Sequence, residues 1–198
     1  MTIARIAVIG AGTMGSGIAQ VCAQAGFQVD LLDVSPASLD RARTGIARSL
    51  AKFVEKQRLS PADADAALAR LSLAGRLDAA SAADFVIEAI VEDLAAKQAL
   101  FVQLDALARP DAILASNTSS ISITTLGAAT KRPDKVVGMH FMNPVPLMAL
   151  VELIRGQATS HETMAVASKL CVALGKTPVE AADYPGFIAN RVLMPMIN

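Results

Sequence analysis

Short apolar runs alternate with longer helical segments over the first 141 residues. The runs are rich in Val, Ile and Leu, as strands buried on both faces of a sheet are. Because strands and helices alternate, the pattern predicts an α/β fold of the Rossmann type with a doubly wound, mostly parallel sheet. Strands are predicted at residues 5–9, 27–32, 71–74, 84–89, 113–116 and 136–141, and helices at 13–25, 36–57, 61–70 and 93–108.

Two consecutive helices interrupt this alternation. Ser35-Pro36 and Ser60-Pro61 each place a capping hydroxyl before a proline at the first helical position, a combination that begins helices. The two helices predict a hairpin at about residues 36–70, inserted between strands and standing off the sheet.

The pattern of elements changes after residue 142. The stretch NPVP at residues 143–146 breaks the chain. After it we predict a strand at 150–154, a helix at 160–174 and a short strand at 177–180.

A boundary follows at Tyr184-Pro185-Gly186, and another helix is predicted over residues 187–198. We therefore divide the chain into a first domain, residues 1–184, and the first helix of an all-helical second domain, residues 185–198. The sequence ends inside that helix without a stop signal, so we expect a longer parent chain to continue it.

The turn after the first strand carries the motif G-x-G-x-x-G, formed by Gly10, Gly12 and Gly15. The first glycine allows a sharp turn, the second lets the backbone approach a pyrophosphate, and the third lets the helix pack closely on the sheet. Asp33 ends the second strand, where a carboxylate accepts hydrogen bonds from ribose hydroxyls and repels a 2′-phosphate. This arrangement predicts a dinucleotide site that prefers NAD to NADP.

Charge and composition narrow the possible partners. Eighteen basic and eighteen acidic residues cancel and form no basic stripe, so we expect no nucleic-acid partner. No apolar run is long enough for a membrane span, and Cys22 and Cys171 lie among apolar neighbours, as buried reduced thiols of a cytoplasmic protein do. His140 and His161 have no cysteine or carboxylate at ligand spacing, so we expect no metal site.

A second group of polar residues lies at the ends of predicted strands, where open α/β sheets place ligands. Ser119 follows one strand, His140 nearly ends the next, and Glu152 lies in the strand LVELI. A carboxylate that faces an imidazole fixes its tautomer and stabilises the imidazolium, so the last two could form a general base. From spacing alone, a core histidine, an edge-strand carboxylate and a helix-capping serine explain the same residues equally well.

Five motifs occur in the order GAGTMGSGIA, VIEAIVED, SNTSSISI, GMHFMNPVPLMALVELI and PGFIANR. In this the sequence resembles the L-3-hydroxyacyl-CoA dehydrogenase family, from Ile3 to its last residue, and is most similar to its short bacterial members. The HFxNP and PGFIxNR blocks are more specific than the glycine motif. The resemblance implies NAD-dependent oxidation of (S)-3-hydroxyacyl-CoA to 3-ketoacyl-CoA and the reverse reaction, with 3-hydroxybutyryl-CoA as the preferred substrate.

The resemblance also assigns catalytic roles to matching positions. His140 would be the base that takes the proton from the 3-hydroxyl, and Glu152 would orient it. Ser119 would hydrogen-bond the reacting oxygen, and Asn190 would complete the substrate side. The second, helical domain would make a homodimer of the full-length chain and close over the acyl group.

Binding roles follow from the same resemblance. In the helical hairpin, Ser49 and Lys56 match positions that contact coenzyme A, whereas Lys52 and Arg58 are explained as a solvated helix face. The positions implied to bind NAD are Gly10, Gly12, Thr13, Met14, Gly15, Asp33, Glu92, Lys97, Asn117, Ser119 and Asn143.

Other functions of the same architecture stay open. A related 3-hydroxy acid dehydrogenase, such as L-gulonate 3-dehydrogenase, would share the nucleotide domain and HFxNP but not the coenzyme A contacts. A dinucleotide-binding module without turnover is a second alternative. A redox-sensing repressor would need a basic DNA-binding element, which the sequence lacks, and β-hydroxyacid dehydrogenases with a catalytic lysine would not place His and Glu in this pattern.

Overall fold

One eight-stranded sheet lies at the centre of the computed structural model, which describes residues 2–197. Each strand coincides with a predicted one or differs from it by one or two residues at an end. The strands are β1 (Arg5–Ile9), β2 (Gln28–Leu32), β3 (Leu71–Ala74), β4 (Phe85–Glu88), β5 (Ile113–Ser116), β6 (Val136–Phe141), β7 (Leu150–Arg155) and β8 (Thr177–Ala182).

The sheet has the order β3-β2-β1-β4-β5-β6-β7-β8. All neighbouring strands are parallel except β6 and β7, which are antiparallel. The chain moves outward from β1 in one direction and from β4 in the other, so the carboxyl ends of these two strands flank a crevice. The predicted Rossmann-type, mostly parallel sheet is confirmed.

Helices cover both faces of the sheet. They are α1 (Thr13–Gln24), α2 (Pro36–Glu55), α3 (Pro61–Ala69), α4 (Leu94–Leu107), α5 (Ile123–Gly127), α6 (His161–Ala173) and α7 (Ala189–Ile197), with short 3-10 helices at Leu77–Ala82 and Pro133–Lys135. The sequence pattern did not predict α5 or the 3-10 helices, because one or two turns are too short to show a helical period. Within residues 2–197, none of the helices combines the length and the apolar character that a membrane span requires.

Backbone conformation explains where two helices differ from their predicted bounds. The helix α2 ends two residues early because Gln57 has a φ of 54°, and the N–H of Arg58 closes the end by donating to the carbonyl of Phe53. The helix α7 begins at Ala189 instead of residue 187, because Phe187 has a φ of 49°. Residue 198, predicted as helical, lies outside the described residues.

The hydrophobic core is divided between the two faces of the sheet. Along β1, Ile6 and Val8 pack into one cluster with α1, α2, α3 and α6, whereas Ala7 and Ile9 pack into the other with α4 and α5. The helical hairpin formed by α2 and α3 packs chiefly on α1, and α3 also reaches β3. Cys22 and Cys171 are both free and buried in the first cluster, as predicted.

Candidate active site

The glycine turn between β1 and α1 has the shape that a pyrophosphate requires. Gly10 has a φ of 103°, and a Cβ on Gly15 would lie 1.8 Å from the carbonyl oxygen of Gly10, so this pair of glycines allows the helix to start against the turn. A Cβ on Gly12, by contrast, would meet no protein atom within 4 Å. Gly12 caps α1 without a side-chain hydrogen bond, so the open space lies beside the positive end of the helix dipole.

The Asp33 carboxylate follows β2 and faces the same turn. One of its oxygens accepts from the N–H of Ala11 at 2.8 Å, and the other accepts from the N–H of Ser35 at 2.9 Å. A carboxylate has about four acceptor positions, so two remain for the hydroxyls of a ribose.

A cavity of about 540 Å³ adjoins this carboxylate. Its walls are mainly apolar and come from the ends of β1, β2 and β4 together with residues 75–77. An apolar slot beside an acidic acceptor suits an adenosine, and the glycine turn suits the adjoining phosphates. The residues present therefore fit NAD on their own geometry.

A buried charged network lies behind the ends of β4 and β5. Lys97, which is 1% exposed, pairs with Glu88 at 2.5 Å and with Glu92 at 3.3 Å. Glu88 also accepts from the hydroxyl of Ser116 at 2.6 Å and from the N–H of Ile90 at 2.7 Å. The two carboxylates share one ammonium, so Lys97 is held inside the protein beside the crevice.

Glu92 connects this network to Ser119, which is predicted to bind NAD and the reacting oxygen. Its carboxylate accepts from the hydroxyl of Thr118 and from the N–H of Ser119 at 2.9 Å. Burial by itself raises the pKa of Glu92, but these hydrogen bonds and the charge of Lys97 outweigh it and hold the pKa below its ordinary value. Glu92 is therefore ionised at neutral pH.

The predicted histidine–glutamate pair is formed. Antiparallel pairing of β6 with β7 places His140 directly opposite Glu152, and the imidazole Nδ1 lies 2.7 Å from the carboxylate Oε2. Within residues 2–197, every buried side-chain nitrogen or oxygen has a hydrogen-bond partner. The Nε2 of His140 has no protein partner, so it is not buried and solvent reaches it. A carboxylate on Nδ1 favours the tautomer in which Nε2 can accept a proton.

The second oxygen of Glu152 caps the start of α7. It accepts from the N–H groups of Ile188 at 3.0 Å and Ala189 at 2.8 Å, and the ring of Phe187 lies 5.9 Å from the imidazole of His140. Glu152 is 1% exposed, and its almost fully buried carboxylate makes three hydrogen bonds. The base is thereby fixed to the segment that follows residue 184.

The other predicted site residues lie around this pair in different ways. The side-chain amide of Asn190 lies 3.4 Å from the backbone oxygen of Ser119, which brings α7 and the end of β5 together. Asn117 uses its side-chain oxygen to accept from the N–H of Phe141, so it joins the ends of β5 and β6. Asn143 is exposed in the loop after β6, and Thr13 and Met14 lie in the first turn of α1.

The predicted coenzyme A contacts line a separate cleft of about 210 Å³. Ser49 and Lys56 lie on the hairpin side, and Pro144, Pro146 and Leu147 form the facing wall. Lys52 and Arg58, which the sequence analysis explained as a solvated face, also line this cleft. All three basic side chains are exposed, and together they make its rim positive.

Sequence reasoning missed Glu88, which pairs with Lys97, and Ser116, which donates to Glu88, and it gave no role to Thr118. Glu88 did carry a signal, since it is an ionisable residue within the apolar run DFVIEA at the end of a strand. Its side-chain partners, Lys97 and Ser116, lie nine and twenty-eight residues away, at distances that no local pattern relates to it. The structure thus adds a supporting layer beneath the residues predicted to contact NAD, whose roles stay predictions.

Known proteins are similar to this chain both in sequence and in fold. The family model described as the NAD-binding domain of 3-hydroxyacyl-CoA dehydrogenase matches residues 5–184. A probable 3-hydroxybutyryl-CoA dehydrogenase from Bacillus subtilis is 50% identical over the whole chain, and the chain covers 69% of that relative. The 3-hydroxybutyryl-CoA dehydrogenase of Bradyrhizobium diazoefficiens is 49% identical over 99% of the chain, which covers 67% of that relative. The crystal structure of (S)-3-hydroxybutyryl-CoA dehydrogenase from Ralstonia eutropha superposes with a TM-score of 0.97 at 47% identity, over 100% of this chain and 70% of that one.

The family match covers most of the chain, and it includes the glycine turn, Asp33 and the histidine–glutamate pair. Both relatives are well above the identity at which membership of a family is in doubt, and each is covered over two thirds of its length. The chain therefore belongs to the NAD-dependent 3-hydroxyacyl-CoA dehydrogenase family and carries that family's NAD-binding domain.

Proposed function

We propose that this protein oxidises (S)-3-hydroxybutyryl-CoA to acetoacetyl-CoA with NAD and catalyses the reverse reduction with NADH. The observation that carries the proposal is the contact of 2.7 Å between His140 and Glu152, which leaves Nε2 open to solvent. The names of the bacterial relatives support a four-carbon substrate.

In the oxidative direction, Nε2 of His140 accepts the proton of the 3-hydroxyl group. The carboxylate of Glu152 keeps the Nδ1 proton in place and stabilises the positive charge that the imidazole then carries. The glycine turn and Asp33 would hold NAD, which would supply the hydride acceptor for C3. In the reductive direction the imidazolium returns the proton to the oxygen.

The residues around the base position the substrate. We propose that the hydroxyl of Ser119 hydrogen-bonds the reacting oxygen and that Asn190, whose amide contacts the backbone of Ser119, completes the polar end of the site. The positive cleft lined by Ser49 and Lys56 would hold coenzyme A. Because those contacts are remote from C3, their binding energy serves to place the reacting carbon beside the nicotinamide.

The homodimer of the full-length protein also stays a proposal. The helix α7 exposes apolar side chains to solvent, with Val192, Leu193 and Met194 each more than half exposed. An apolar face of this kind supports packing against a further helix or a second chain.

The direct test measures NADH consumption with acetoacetyl-CoA beside NADH binding on the same sample. We expect binding and turnover, and no reaction with L-gulonate and NAD. Binding without turnover would support the alternative of a nucleotide-binding module for this chain, and turnover of L-gulonate alone would replace the proposed substrate. Absence of NADH binding would contradict the fit of the glycine turn and Asp33 to NAD.

Replacing Asp33 with Ser should narrow the preference for NADH over NADPH. The variant loses an ionised acceptor for the ribose hydroxyls, so NADH affinity should fall by about tenfold, while NADPH affinity holds or rises because the repulsion of its 2′-phosphate is removed. The measurement is a fluorescence titration with both dinucleotides. Ser38→Ala, in the wall of the same cavity, is the matched control, and an unchanged ratio of the two affinities in Asp33→Ser would rule out ribose recognition by this carboxylate.

A further inference from the structure

A buried lysine holds the loop of residues 142–149, which joins β6 to β7. The Nζ of Lys176 donates to the carbonyl oxygens of Val145 at 2.5 Å and Met148 at 2.8 Å. Lys176 is 8% exposed, and within residues 2–197 no carboxylate forms an ion pair with it. Its partners are therefore two backbone carbonyls of one loop.

The backbone around Lys176 explains how its side chain reaches that loop. Gly175 ends α6 with a φ of 69°, and the N–H of Lys176 closes the helix end by donating to the carbonyl of Cys171. The chain then enters β8, where the N–H of Thr177 donates to the carbonyl of Ala149. The lysine is thus fixed on both sides by main-chain hydrogen bonds, and its ammonium reaches a loop about thirty residues away in sequence.

The burial of Lys176 also indicates that its two hydrogen bonds to the loop are important for the structure. Desolvation lowers the pKa of the Lys176 ammonium from its ordinary value. An apolar side chain at this position would avoid the free-energy cost of burying an ammonium. The two carbonyl oxygens offset part of this cost, and in turn they receive charge-assisted hydrogen bonds that a water or a neutral donor would not match.

The same loop forms one wall of the proposed coenzyme A cleft. Val145 is 2% exposed and packs against α1, where a Cβ on Gly17 would lie only 2.9 Å from the Val145 Cβ. Pro144, Pro146 and Leu147 line the cleft opposite the helical hairpin. One side of the loop is therefore clamped between α1 and Lys176, and the other side faces the cleft.

We propose that Lys176 is a positioning residue that holds the 142–149 loop as a rigid wall of the acyl-CoA cleft and thereby sets the affinity for acyl-CoA. This role rests on the proposed function, since it assigns the cleft to acyl-CoA. Lys176 does not touch the reacting atoms. Its contribution is to reduce the motion that the loop would lose on binding substrate.

The test compares Lys176→Met, which keeps the length of the side chain and removes its donors, with Lys169→Met. Lys169 is an exposed lysine on α6 and is the matched control. We expect Lys176→Met to raise the KM for acetoacetyl-CoA by about tenfold, with kcat within about twofold of wild type, because charge-assisted hydrogen bonds are lost at the loop. Lys176→Arg retains donors for both carbonyls and should recover part of the affinity.

Hydrogen exchange of residues 142–149 provides a readout that does not depend on the substrate. We expect exchange of this segment to be several-fold faster in Lys176→Met, intermediate in Lys176→Arg and unchanged in Lys169→Met. Wild-type exchange and KM in Lys176→Met would overturn the proposal, as would a loss of kcat without a change in KM. If the wild-type chain does not reduce acetoacetyl-CoA at all, the proposed function fails, and faster exchange would still show separately that Lys176 holds the loop. If Lys176→Met does not bind NADH, the comparison of Lys176→Arg with wild type decides by the same two measurements.

Discussion

Replacing His140 with Gln is expected to lower turnover of acetoacetyl-CoA by about 10² to 10⁴-fold, the range over which a positioned acid–base group contributes. The glutamine amide can still donate to Glu152, so the buried carboxylate keeps a partner and the fold is preserved. What the variant loses is the nitrogen that exchanges a proton with the substrate oxygen. Affinity for NADH should stay within about twofold of wild type, because the residues that fit the dinucleotide lie at the ends of β1 and β2.

The other histidine of the chain is a matched control for this experiment. His161 is exposed and begins α6, so His161→Gln should leave both turnover and NADH affinity unchanged. Steady-state kinetics at saturating NADH and a separate NADH titration measure the two quantities. A loss of NADH affinity as large as the loss of turnover would contradict the role of His140 as base.

The glycine turn supports a second experiment, in which two neighbouring glycines should respond in opposite ways. Gly12→Ala should fold normally, because a Cβ there meets no protein atom within 4 Å and the replacement at a helix cap costs less than about 1 kcal/mol. Its NADH affinity should fall by at least about tenfold, since the added methyl group takes up space reserved for the pyrophosphate.

Gly15→Ala should instead lose stability. Its Cβ would lie 1.8 Å from the carbonyl oxygen of Gly10, so the backbone of the turn or of α1 must move. Overpacking of this kind costs typically about 1–3 kcal/mol, and for a chain of this length each kcal/mol lowers the melting temperature by about 2–4 °C. Thermal unfolding and NADH titration of both variants check the pair. A stable Gly15→Ala would contradict the close packing of α1 on the turn, and a Gly12→Ala with wild-type affinity would mean that the turn does not bind the pyrophosphate in the way proposed.

Local sequence was sufficient to predict the glycine turn and the starts of the first helices. The glycine turn, the strand before it and the helix after it are contiguous, so each residue type constrains the conformation of its immediate neighbours. The same holds for the Ser-Pro pairs that begin α2 and α3, whose hydroxyls accept from the N–H groups of Ser38 and Asp63 as a helix cap does. In these segments a short stretch of chain contains both the signal and the structure that it specifies.

Local patterns in the sequence did not predict the contacts between distant segments. Spacing left His140 and Glu152 with ordinary explanations as good as a catalytic one, and the family resemblance was needed to favour the pair. Their contact exists because β6 and β7 pair antiparallel in a register that places the two residues opposite each other. A shift of one residue in that register would turn one of the side chains to the other face of the sheet.

The sequence by itself determined the fold class, the dinucleotide turn and the acidic residue that follows β2. Only the tertiary structure decided that Glu88 and Glu92 share Lys97, that Glu152 joins His140 to the start of α7, and that Lys176 donates to the loop beside the proposed coenzyme A cleft. The physical reason is the range of the interactions. Turns and caps depend on neighbours a few residues apart, whereas buried charges depend on partners that become neighbours only when the sheet has formed.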